Sequence, residues 1–247
     1  MTGAPDSPAA PPAGSPRWYA WLFTPRHARD AVALLFQLES ELRSIVVAPR
    51  DHGVAHLKLH WWRDEIQRLA AGSPRHPLTQ ALDRAAPQAV AAWPPLTDFL
   101  TSLELELAAV AIDDEMELDR FLALADGLAR TLVLAVDEQG AGRAETGAEA
   151  GRAIRGVQLV AQWSGTAMDE PRKSAVLHLA GQSRARWHRA AAAMSGSDTL
   201  RGLRVFGELH MALLARMERG QFRPGIGRRD LPPLRGLWTA WHAARQH

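Results

Sequence analysis

The sequence predicts an all-α protein, a single-domain helical bundle. Three observations carry that expectation. Apolar residues recur at three- and four-residue steps through almost the whole chain from Trp18 onward, no segment alternates with period two over a strand's length, and Pro and Gly punctuate the periodic stretches. The chain has 247 residues, 47% hydrophobic and 23% charged, the proportions of an ordinary globular domain with its own core.

Taken in order, residues 1–16 hold five Pro and nothing larger than Met. Such a segment buries too little to offset its ordering entropy and is expected to form a disordered tail, leaving 17–247 as the helical domain. It has neither the basic nor the apolar region of a secretory signal. A first helix, about Pro25–Val47, has the stripe Leu35, Leu38, Leu42 and Ile45. Pro49 and Gly53 separate it from a second, about Val54–Ala71, with the stripe Leu59, Trp62, Ile66 and Leu69, which ends at Gly72-Ser73-Pro74. A short link favours antiparallel packing of the two, with Leu38, Leu42, Trp62 and Ile66 buried. After Pro94-Pro95 the stripe resumes at Leu100, Leu103, Leu107 and Val110. Further helices read over Leu118–Val136, Gly151–Trp163, Lys173–Met194, Leu200–Arg219 and Pro233–Arg245, with Gly140–Gly151 expected to be a flexible connection. The longest weakly polar stretch, Phe121 to Val136, contains Asp126 and Arg130 and is too short to span a bilayer, so no transmembrane segment is expected.

The chain has no Cys, which excludes disulfides, thiolate metal sites and cysteine nucleophiles and suits a cytoplasmic protein. A net charge of +2 gives no reason to expect nucleic acid as a partner. The charge is uneven, however. Residues 97–150 carry thirteen Asp and Glu against three Arg, and residues 201–247 carry nine Arg against three acids. Either two solvated faces attract each other within the fold, or a basic surface awaits an acidic partner or anionic lipid headgroups, which would make the protein peripheral to a membrane.

Few residues suggest chemistry. His52, His56, His60 and Asp64 line one helix face at four-residue steps, a spacing that suits a metal but suits an exposed face better. Glu104 and Glu106 open an acidic stretch that continues through Asp113, Asp114, Glu115, Glu117 and Asp119. Such carboxylates can hold Mg²⁺ against a diphosphate, and more often form a solvated helix face. Adjacent Trp61 and Trp62 point about 100° apart on a helix, so either both pack into the core or one enters it while the other edges a cavity or groove. No phosphate loop, nucleophile elbow or dinucleotide fingerprint is present.

Three motifs stand in sequence: Pro25-Arg-His-Ala-Arg29-Asp30-Ala31, then Leu57-Lys-Leu-His-Trp61-Trp62-Arg63-Asp64-Glu65-Ile66, then Gly72-Ser-Pro-Arg-His76-Pro77-Leu78. Their order and spacing resemble the opening of the squalene/phytoene synthase family. Fainter similarity continues through Leu103-Glu104-Leu105-Glu106-Leu107 and through Phe222 to Leu237, so that the resemblance covers residues 17–245. It implies the all-α isoprenoid synthase fold with a central cavity. It also implies two Asp-rich motifs that hold Mg²⁺ while two prenyl diphosphates are joined head to head. Here the aspartates of the first motif fall on Arg43 and Val47 and its preceding Arg on Ser40, with Glu41 as the adjoining acid. In the second motif the family's Asn and Arg fall on Gln158 and Ala161 and its two aspartates on Gln162 and Thr166, and the segment that should follow has no counterpart.

The resemblance thus marks Arg29, Glu41, Arg43, Trp61, Glu104, Glu106, Gln158 and Gln162 as lining a ligand pocket, with no catalytic residue or metal ligand assigned. Arg43 should be paired with Glu39, Glu104 or Glu106, because an unpaired guanidinium in an apolar cavity loses its solvation. Three functions are open. One is a degenerate relative acting as a binding or assembly module for a protein partner, without a cofactor. The second is an isoprenoid or lipid binder that uses the old cavity. The third is an active prenyltransferase, which alone would need Mg²⁺.

Overall fold

The computed structural model describes residues 10–47, 49–87, 93–110, 112, 114–137, 140–165, 169–222 and 231–245. Its architecture is an all-α bundle, and among the described residues there is no strand. The helices are α1 (Pro16–Phe23), α2 (Arg29–Val46), α3 (His52–Ala70), α4 (Pro77–Ala85), α5 (Pro94–Leu107), α6 (Glu115–Ala125), α7 (Gly127–Val136), α8 (Ala144–Trp163), α9 (Glu170–Ala193), α10 (Arg201–Arg219) and α11 (Pro233–Arg245).

Of the expected tail, residues 1–9 lie outside the described residues. Ser15 and Pro16 begin α1, the Ser15 hydroxyl accepting from the Trp18 N–H and Pro16 taking the first helical position, where a missing N–H costs nothing. The expected stripes are core except at Val110, which lies beyond the end of α5 and is 54% exposed. Leu35, Leu38, Leu42, Leu59, Ile66 and Leu69 are almost wholly enclosed, with Leu100 and Leu103 of α5 among them. A second cluster joins Val157 and Val160 of α8 to Leu179 of α9 and Leu214 of α10, and a third joins Tyr19 of α1 to Leu209 of α10 and Ala240 of α11.

Three expectations about elements need correction. The stretch Gly140–Gly151 is not a flexible connection: after a 3-10 turn at Gly140–Arg143, α8 starts at Ala144. Its glycines serve close packing, since a Cβ on Gly147 would lie 3.0 Å from the Arg130 Cα and one on Gly151 2.8 Å from that of Asp126, both at the α7 side. The helix read over Leu118–Val136 is two, divided at Asp126. Pro94 and Pro95 do not merely separate segments, because they form the first turn of α5.

The motif at the end of α3 is explained by local structure. Glu65 is buried, and its carboxylate accepts the backbone N–H groups of Arg75 and His76 at 2.7 Å, the Thr79 hydroxyl at 2.5 Å and the Arg68 guanidinium at 2.9 Å. Gly72 adopts φ +69°, which turns the chain back. His76 then packs edge-on to Trp62 at 4.8 Å and caps α4 with its ring nitrogen. Trp62, Glu65, Gly72 and His76 thus form one corner between α3 and α4.

Candidate functional site

A charge cluster built on the buried Glu39 and Arg155, with Arg17, Arg43 and Glu106 half-buried, lies where α1, α2, α5, α8 and α10 meet. α2 presents Glu39 and Arg43, one turn apart and bonded at 3.0 Å. Arg17 of α1 reaches the other Glu39 oxygen at 3.0 Å. Across the bundle, α5 presents Glu106, which lies 3.7 Å from Arg43 and 2.7 Å from Arg155 of α8. Arg43 and Arg155 lie over the Phe99 and Phe121 rings, at 5.2 and 5.5 Å. One turn further along α8, Gln158 approaches both the Arg155 guanidinium, at 3.4 Å, and His210 of α10, at 3.5 Å.

The electrostatics follow from enclosure. Burial alone would raise the Glu39 carboxyl, but Arg17 and Arg43 hold it below its ordinary value. Burial and the neighbouring Arg43 push Arg155 down to about 10, while Glu106 and Glu39 oppose the change. Burial also depresses His210, whose other ring nitrogen lies 2.8 Å from the Phe206 carbonyl oxygen. His210 further forms part of the wall of a cleft of about 600 Å³ between α1, α10 and α11, together with Tyr19, Leu209, Leu213, Arg216 and Gly236.

The eight residues expected in a pocket divide. Arg43, Glu106 and Gln158 meet in the cluster. Glu104 does not, since two helical positions from Glu106 turn it to the far side of α5, where it bonds Arg63 of α3 at 2.8 Å. Arg29 spends its guanidinium on the Leu22 and Thr24 carbonyls at the end of α1 and lies over Trp21. Trp61 is exposed at the α3–α4 corner, edge-on to Trp62 and His76, and edges no groove at the cluster. Glu41 is half-buried on α2 and forms no ion pair among the described residues. Gln162 is exposed in the last turn of α8. Of the aligned aspartate positions, Val47 is 70% exposed beyond the end of α2 and Thr166 lies outside the described residues. Glu39, not position 47, shares the inner face with Arg43. Sequence reasoning passed over Arg17, Arg155 and His210 as site residues. The signal for the last two is a single polar side chain within an otherwise apolar helix face.

The cluster does not suit a divalent metal. Mg²⁺ needs several hard oxygens free to bind it, and both central carboxylates are already engaged by guanidinium groups whose charge repels a cation. Among the described residues no three His, Asp or Glu gather into a metal-holding group, and His52, His56 and His60 face outward from α3.

The sequence model described as squalene/phytoene synthase matches residues 11–161. The chain belongs to the squalene/phytoene synthase family. Solved structures agree on the fold. The chain is similar to a dehydrosqualene synthase crystallised in complex with a ligand, with a TM-score of 0.75 at 12% identity, over 92% of this chain and 89% of that one. It is also similar to squalene synthase HpnC from Alicyclobacillus acidocaldarius, with a TM-score of 0.65 at 15% identity, over 83% of this chain and 89% of that one. No curated protein matches the chain by sequence.

Proposed function

We propose that this chain is a squalene/phytoene synthase-like binding or assembly module that does not join prenyl diphosphates. One observation carries the reading: the two central carboxylates, Glu39 and Glu106, are closed by Arg17, Arg43 and Arg155. Head-to-head condensation requires a diphosphate to leave with its charge balanced by metal ions held on free carboxylates. With arginines standing in that place, the carboxylates are already engaged and offer an ion no free oxygen ligands. What remains is a rigid helical scaffold with a polar centre, suited to binding.

A second reading, an isoprenoid or lipid ligand held without turnover, draws on the cleft beside His210. Its wall combines the apolar Leu209, Leu213 and Tyr19 with the polar His210 and Arg216, which suits a ligand with an apolar body and a polar end. The similar dehydrosqualene synthase was likewise crystallised in complex with a ligand.

The test is purified protein with radiolabelled farnesyl or geranylgeranyl diphosphate and Mg²⁺. The expected outcome is no condensed product. Turnover on the order of 1 s⁻¹ would overturn the proposal and restore an active synthase. Saturable binding of either diphosphate without turnover favours the second reading over a protein partner.

A further inference from the structure

The two ends of the charge asymmetry have different fates. The acids of the middle segment are met from within: Glu104 by Arg63, Glu106 by Arg43 and Arg155, Asp126 by Arg130 and Arg152, Asp119 by Arg186, and Glu149 by Arg186 and Arg189. None of these cations comes from α11. Conversely, α11 carries no acid, Arg235 forms no ion pair among the described residues, and Arg245 lies 3.9 Å above the ring of Trp241. Among the described residues the positive charge of α11 is therefore not spent on the acidic middle of the chain.

α11 is also turned in an unusual way. It holds to α1 and α10 by its small residues, with Gly236, Ala240 and Ala243 buried. Its large apolar side chains point outward at three- and four-residue steps: Leu234 is 82% exposed and Trp238 62%, with Leu237 and Trp241 beside them. A helix that served only to complete the core would bury its Leu and Trp and expose its Ala. A contiguous exposed apolar stripe marks a contact surface. Cations stand in its first and last turns, so the stripe is basic at both ends. Outward Trp and Leu with flanking Arg on a short helix is the pattern that lies in the headgroup layer of a bilayer.

We propose that the outer face of α11 docks the protein on an anionic lipid surface. Leu234, Leu237, Trp238 and Trp241 enter the headgroup–acyl boundary, and Arg235 and Arg245 rest on lipid phosphates. Among the described residues no helix is long and apolar enough to cross a membrane, so the contact is peripheral. The inference holds whether or not the chain condenses prenyl diphosphates.

The experiment is flotation of the full chain with vesicles of phosphatidylcholine alone, or mixed in equal parts with phosphatidylglycerol, at about 0.15 M salt. Binding to the mixed vesicles is expected to exceed that to neutral ones by roughly tenfold or more. Leu234→Ser with Trp238→Ser should lower it by more than roughly tenfold, and Arg235→Glu by roughly tenfold, with unchanged circular dichroism because every substituted side chain is exposed. Leu57→Ser removes an equally exposed apolar residue (70%) on α3 and should leave binding unchanged. The proposal is overturned by absence of binding to both vesicles or by full binding of both α11 variants. It is also overturned if concentration-dependent self-association, abolished by Leu234→Ser with Trp238→Ser, replaces lipid binding, since a second copy of the chain would then own the face.

Discussion

Glu65 shows how a single carboxylate organises its surroundings. Burial raises its pKa, but the His76 N–H, the Thr79 hydroxyl, Arg68 and the Arg75 N–H outweigh that and bring it from 4.5 to about 2. The folded-state value is depressed, so the group's contribution is fully present above pH 4.5 and is lost as pH falls towards 2. The size is about 3 kcal/mol by linkage, enough to dominate acid unfolding of the α3–α4 corner. Glu65→Gln should therefore lower stability at pH 7 by about 2–3 kcal/mol and flatten its decline below pH 4.5, as read by denaturant titration across pH. An unchanged acid limb would contradict the clamp. The sequence makes the pattern around Glu65 conspicuous without revealing its purpose. Two of its partners are backbone N–H groups ten and eleven residues away, which no side-chain pattern records.

At the scale of elements, periodicity was informative wherever a helix has one buried stripe. Leu38, Leu42, Trp62 and Ile66 all lie in the core as their spacing requires. It failed where small residues make the contact, because Gly reads as a breaker in sequence while serving as a close-packing residue in the fold. Gly127 is the sharpest case: a Cβ there would lie 2.0 Å from the Pro95 carbonyl oxygen and 3.0 Å from the Phe99 nitrogen, both backbone atoms of α5. Backbone cannot move aside as a side chain does, so Gly127→Ala must separate α7 from α5. A loss of at least about 2 kcal/mol is expected. Gly181 provides the contrast within α9, where nothing lies within 4 Å of the added Cβ. Gly181→Ala should raise stability by about 0.5–1 kcal/mol through better helix propensity and a less flexible unfolded chain. Thermal melts of the two variants measured side by side test the argument, which fails if both move in the same direction.

For the whole molecule, the all-α class was legible from spacing and the family from three motifs, but the centre was not. Alignment by motif spacing led to positions 43 and 47, a four-residue step that shares a face only while the helix continues, whereas the turn before Arg43 supplies Glu39. α2 ends at Val46, so position 47 has already left the helix. The cluster itself joins five helices that are far apart in sequence, a relation visible only once they are packed. Its energetic character is that of a partly buried ion network, in which the enclosed Glu39 and Arg155 are tolerable because of their neighbours. Glu39→Met should cost about 3–5 kcal/mol, because Arg43 would keep only Glu106, which is already shared with Arg155. Arg17 would suffer less, being partly exposed and bonded to the Ser40 hydroxyl at 2.7 Å. Adding Arg43→Met to Glu39→Met removes the stranded cation as well and should recover part of the loss, with a coupling energy of at least about 1 kcal/mol in a double-mutant cycle. A single substitution costing less than about 1 kcal/mol, or strictly additive losses, would mean that water reaches these groups and that the centre is open rather than sealed by its own charges. That outcome would also weaken the case against metal-dependent chemistry, because carboxylates in contact with water are free to change partners.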